Sequence, residues 1–216
     1  MDLLEVLEDY NNYSQDIKVI TEDCTEAEYE AIPDQWKELL KASPAKKTDI
    51  VIDLWQAVVK EEMSLTIANL KEHLEDVLIV RFDEKYSLLY LIKRDDGKLL
   101  YYIGGSPVES FTIQADIAES IKSFYTKLHD GFFDYRFKAL GLTDLKHASP
   151  LSENTGDREY DDFDKAYIFF KNGMGDYVAY DTLSKKGILW LKGEEPEFGN
   201  EFWNLVDEWT NLGLEE

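Results

Sequence analysis

The residues of this chain whose types could do chemistry are carboxylates gathered around turns. The stretch "YIFFKNGMGDYVAYDT" (167–182) sets a Gly-rich turn, Asn172-Gly173-Met174-Gly175-Asp176, between two short runs rich in Tyr and Phe. A turn of this kind can cradle a phosphate, and Asp176 with Asp181 could hold a divalent ion. Just upstream, "DREYDDFD" (157–164) concentrates Asp157, Glu159, Asp161, Asp162 and Asp164. Each feature has a plainer reading. A phosphate loop opens a helix, so that aligned N–H groups and the dipole face the anion. Here "DYVAYD" follows and alternates like a strand, and Asp176 would itself repel a phosphate. Asp176 and Asp181 stand five apart, an odd interval that sends them to opposite faces of a regular strand. The acidic stretch lacks the central Gly and the closing Glu of an EF-hand loop, which leaves a solvated acidic loop. The preferred readings are therefore a hairpin and an acidic surface.

Other reactive side chains are few. His73 lies in a helical stretch among carboxylates, His129 at a helix end where a cation suits the dipole, and His147 in a loop beside Lys146. No two of them have metal-ligand spacing. Cys24 is the single cysteine and sits in "TEDCTEAE", where carboxylates disfavour a thiolate. Neither G-x-S-x-G, a Walker A motif nor a dinucleotide fingerprint is present. This reading assigns no catalytic residue, no cofactor and no metal. A carboxylate-dependent hydrolase built on Asp176 or Asp181 is the weakest alternative, because no base, nucleophile or metal triad accompanies them.

Charge bounds the partners. The 216 residues carry a net charge of −22. Residues 1–62 hold 16 acids against 6 bases, 63–152 hold 13 against 11, and 153–216 hold 16 against 6, so two acidic ends (−10 each) flank a nearly neutral middle (−2). Nucleic-acid phosphates and anionic membranes repel such a chain, and a basic protein attracts it. Solubility alone is the plainer account of the acidity. No run of 18 apolar residues and no basic n-region is present, so the expectation is a cytoplasmic protein.

The elements that must position these residues read as α+β with a mostly antiparallel sheet. Residues 1–76 look helical. Thr25 is placed to cap "EAEYEA", Pro33 splits the second helical stretch, and Ser64 is placed to cap "LTIANLKEHL". "TDIVIDLWQAVV" sets Ile50, Leu54, Ala57 and Val58 on one stripe. The period then changes to a three-stranded meander over 77–103, punctuated by Asp83-Glu84-Lys85 and Asp95-Asp96-Gly97. "GGSP" (104–107) reads as a flexible joint. A helix with Ile117, Ile121, Phe124 and Leu128 inward, a long loop-like stretch, strands near 166–171, 176–181 and 187–192, and a closing helix follow. On the first of these strands Phe169 and Phe170 should face opposite sides. The chain is expected to form one elaborated domain, since a meander alone lacks cover on both faces.

Residues 106–212 resemble the SUKH superfamily, which includes yeast cell-wall signalling proteins and bacterial immunity proteins against polymorphic toxins. "FYTKLHDGF", "GLTDL", "FFKNGMGDYVAYDT" and "GILWLKGEEPE" followed by "FWNLVDEW" carry the likeness. The preceding 105 residues depart from the usual start of that family. The family has no shared catalytic residues, so the resemblance implies a binding protein. With the charge, it implies an immunity protein that occludes the basic groove of a cognate toxin, a nuclease above all, through the toxin's C-terminal domain. The partner-binding candidates are Asp157, Glu159, Tyr160, Asp161, Asp162, Asp164 and the hairpin residue Asp176. A regulatory scaffold that binds a cellular protein is the alternative. Oligomeric state is not legible.

Overall fold

A computed structural model describes residues 3–9, 16–154 and 163–215. The chain opens with helix α1 (Leu3–Asp9) and strand β1 (Ile17–Ile20). β1 corrects the helical reading of residues 1–76. "IKVI" is β-branched but too short to display a period, and only a distant partner, Ile17 opposite Phe82, reveals it. Thr25 does cap α2 (Glu26–Ala31). Its Oγ1 accepts from the Glu28 N–H at 3.3 Å while the Glu28 carboxylate accepts from the Thr25 N–H at 3.0 Å. Pro33 ends the helical path, and a 3-10 segment, Asp34–Lys41, replaces a second α-helix.

Helices α3 (Pro44–Val59) and α4 (Ser64–His73) follow. The buried face of α3 is Val51, Ile52, Trp55 and Val59, whereas Ile50, Leu54 and Val58 are half-buried and Ala57 is exposed. The helix has turned from the expected stripe because Trp55 must be covered, and it meets Phe132 and Phe124 edge-on at 4.8 and 6.1 Å. Ser64 does not cap α4. The N–H groups of Leu65 and Thr66 donate instead to the two carboxylate oxygens of Asp207, at 2.8 and 2.9 Å, from the last helix of the chain.

The meander appears as β2 (Leu74–Phe82), β3 (Lys85–Lys93) and β4 (Leu99–Gly105). Residues 104–105 of "GGSP" lie inside β4 and pair onward, so the sheet continues through the expected joint. Helix α5 (Glu119–Ser123) runs into a π turn, Phe124–Leu128, and Ile117, Ile121, Phe124 and Leu128 are all buried as the spacing predicts. Then come β5 (Asp130–Asp134), β6 (Ala139–Leu142), β7 (Ser149–Pro150), β8 (Ala166–Lys171), β9 (Tyr177–Asp181), β10 (Lys186–Trp190), β11 (Glu197–Asn200) and α6 (Phe202–Glu215). The described strands form one antiparallel sheet in the order β1-β2-β3-β4-β5-β6-β8-β9-β10-β11, with β7 also paired to β8.

One face of this sheet carries the main core, shared with α3, α4, α5 and α6. The other face holds two smaller clusters. One packs Leu7 of α1 on Val80, Leu89, Ile103 and Tyr135. The second packs Leu151 and Phe163 on Ile168, Ala179, Ile188 and Trp190. Phe169 and Phe170 both enter the main core, against the expectation that they part. The pairing of β8 with β9 shifts between Ile168 and Phe170, and this bulge turns two successive rings to one side. Phe169 meets Phe202 at 5.9 Å and Phe170 meets Trp209 at 6.2 Å, so the bulge seats α6.

Candidate protein-binding surface

Of the residues expected to bind a partner, Asp157, Glu159, Tyr160, Asp161 and Asp162 lie outside the described residues. Asp164 is exposed on the 3-10 turn Phe163–Lys165 that leads into β8. Asp176 lies at the opposite end of that strand, in the loop to β9, so the length of a six-residue strand separates the two, about 20 Å. The structure does not bring them together.

The Gly-rich turn is organised from within. Buried Asn172 accepts the N–H groups of Met174 and Asp176 on its Oδ1, at 2.8 and 3.1 Å, and donates through Nδ2 to Asp176 Oδ2 at 2.5 Å. The Lys192 N–H donates to Asp176 Oδ1 at 2.7 Å. Gly173 and Gly175 take φ of 86° and 102°, which Gly reaches without penalty. Both oxygens of Asp176 therefore hold the loop closed and tie it to the segment after β10. Asp181 is spent in the same manner on the next turn, where it accepts from Leu183 N, Ser184 N and Ser184 Oγ. The two carboxylates sit at opposite ends of β9. Among the described residues no group of three or more His, Cys, Asp or Glu could hold a metal ion.

The histidines separate by environment. The His147 ring and Asp144 are 2.5 Å apart at the surface, and His73 sits 4.0 Å from both Glu72 and Asp95. His129 departs from its expected role as a cation at a helix end, because it is fully buried. Its Nε2 is 2.5 Å from the Tyr90 hydroxyl and its Nδ1 is 3.2 Å from the Gly105 carbonyl. A carbonyl only accepts, so Nδ1 carries the proton, Nε2 accepts from Tyr90, and the Tyr90 oxygen accepts from Trp55 Nε1–H at 3.0 Å. Every polar atom of this Trp55–Tyr90–His129–Gly105 relay is satisfied with a neutral imidazole. Burial among Trp36, Trp55, Tyr90, Phe124 and Phe132 pushes the His129 pKa down to about 3 and the Tyr90 hydroxyl well up. No sequence motif marks this network, since its members come from α3, β3, β4 and the residue before β5. It is sealed from solvent, which suits a structural role.

Three described carboxylate side chains are buried, and the fold uses each of them. Glu28 meets Lys18 at 2.5 Å and Arg81 at 3.2 Å, and the Lys18 ammonium with the Thr25 N–H holds its pKa down at about 2. Asp134 accepts the Arg136 and Phe137 N–H groups and pairs with the Arg136 guanidinium. Asp207 caps α4. The remaining described carboxylates reach the surface, so the excess negative charge faces outward.

Within that surface the helix side carries a groove of about 770 Å³ between the α3–α4 joint and the starts of α5 and α6. No helix among the described residues is long and apolar enough to cross a membrane. No family model matches the chain, and comparison with curated proteins and with solved structures finds no match either.

Proposed function

We propose that this chain is a non-enzymatic, SUKH-type binding protein of the cytoplasm, an immunity protein that neutralises a cognate toxin by covering its basic active-site groove. The observation that carries the reading is the charge: −22 over 216 residues, with the acids of the described surface turned outward. A nuclease is the toxin class such a surface fits best, because a groove built for phosphates is basic. Outward carboxylates would steer association and exclude nucleic acid, while aromatic side chains would anchor the contact. The absence of a catalytic assignment also has a physical basis at the hairpin, where both Asp176 oxygens and both Asp181 oxygens are committed to the fold's own donors.

The test is co-expression with the toxin encoded beside its gene, together with capture of that toxin from the native host. Rescue of growth and a stable complex are expected. Capture of an unrelated cellular protein with no rescue would favour the scaffold reading. Loss of a divalent-ion-dependent hydrolase activity on Asp181→Asn would overturn the non-enzymatic one.

A further inference from the structure

The floor of the groove on the helix side is apolar and aromatic: Ile117, Ile121, Tyr180 and Phe202 are buried there, and Trp203 is half-buried. Trp203 is held firmly. Its Nε1–H donates to Ser120 Oγ at 2.9 Å, and its ring meets Phe202 and Phe124 with centroids 5.3 and 6.2 Å apart. The rim is acidic. Asp116 pairs with Lys185 and Glu201 with Lys186, which closes one side of the groove. Glu61, Glu62 and Glu119 have no ion pair among the described residues. Five carboxylates line the groove against the ammoniums of Lys122 and Lys185, and with Lys186 on Glu201 the balance is −2.

We propose that this groove is the docking surface for an arginine-bearing segment of a basic protein partner. The inference rests on the binding-protein reading above and assigns it a place. A guanidinium is planar, stacks on an indole and presents a fork of donors to carboxylates, so one side chain uses both the Trp203 ring and the glutamates around it. A lysine supplies the charge but neither the plane nor the fork. Preorganisation of Trp203 by Ser120 lowers the entropy lost on docking. Phosphate-bearing partners meet a net negative rim and are turned away.

The test titrates the isotope-labelled full chain with an oligoarginine peptide, and with oligolysine of the same length, while following backbone and indole N–H resonances. The Trp203 indole signal, identified with Trp203→Phe, should shift saturably along with residues 119–122 and 201–204. Oligoarginine should bind several-fold tighter than oligolysine. Glu61→Gln/Glu62→Gln/Glu119→Gln together should weaken binding at least about fivefold, the sum of three solvent-accessible charge contacts. A control with equal charge removed, Glu22→Gln/Asp23→Asn/Glu30→Gln, should leave it nearly unchanged. Equal weakening by the control, or shifts spread over the whole acidic surface, would overturn the proposal. If the triple glutamine variant still protects cells from the toxin as well as the unaltered chain does, the groove assignment fails while the binding reading stands. If oligoarginine seats on Trp203 but the host yields no toxin, the groove assignment stands and the immunity reading fails.

Discussion

At neutral pH the His129 ring is uncharged, and its surroundings leave a second ring proton nowhere to go. The Tyr90 oxygen already receives the Trp55 N–H, the Gly105 carbonyl receives Nδ1–H, and the other neighbours are aromatic rings. Gly104 is part of the same fit, because a Cβ there would lie 2.6 Å from the His129 ring. Stability follows from the proton count. The folded pKa of about 3 lies below the ordinary 6.5, so between those values the unfolded chain binds more protons, and stability falls as pH falls through that window. At about 1.4 kcal/mol per unit, the loss reaches about 3 kcal/mol by pH 4.5. Asp130, raised by burial, opposes this between its raised pKa and the ordinary carboxylate value, where only the folded form holds the extra proton. Urea unfolding at pH 7 and pH 4.5 should show the drop, and His129→Gln, though less stable, should flatten it. An unchanged midpoint would rule out a buried neutral histidine. The sequence placed His129 at a helix end but gave no sign of burial, because its partners are 24 and 39 residues away.

Among the elements, α4 shows most plainly how local signals can mislead. Ser64 has the right chemistry for an N-cap, yet the N–H groups of Leu65 and Thr66 are taken by the buried Asp207, more than 140 positions along the chain. Asp207→Ala removes both acceptors from a buried site and should cost about 2–3 kcal/mol, whereas Ser64→Ala should change little. Chemical denaturation of the two variants checks this, and a larger loss from Ser64→Ala would reverse the assignment. The Thr25 cap was legible because it acts within three residues, and the structure adds Glu28 as its reciprocal partner. The bulge at Phe169 was not, since a strand read alone alternates strictly, and only its pairing with β9 reveals the extra residue.

For the whole molecule the surplus of outward carboxylates governs encounter. Association with a basic protein should slow about tenfold or more between low and high salt, while dissociation changes far less. Stopped-flow mixing over a salt series measures both, and a salt-independent association rate would detach the acidity from binding. The charge and its two acidic ends belong to the sequence alone, as do the α+β class, the meander, the closing helix and the hairpin glycines. Each arises from composition or from residues near one another, where periodicity and turn chemistry act. Only the tertiary structure supplied β1 and β11, the rotated face of α3, the Asp207 cap, the buried His129 chain and the groove beside Trp203. These depend on which distant segments meet, and hydrogen-bond partners, burial and concavity take their values only once the sheet has closed.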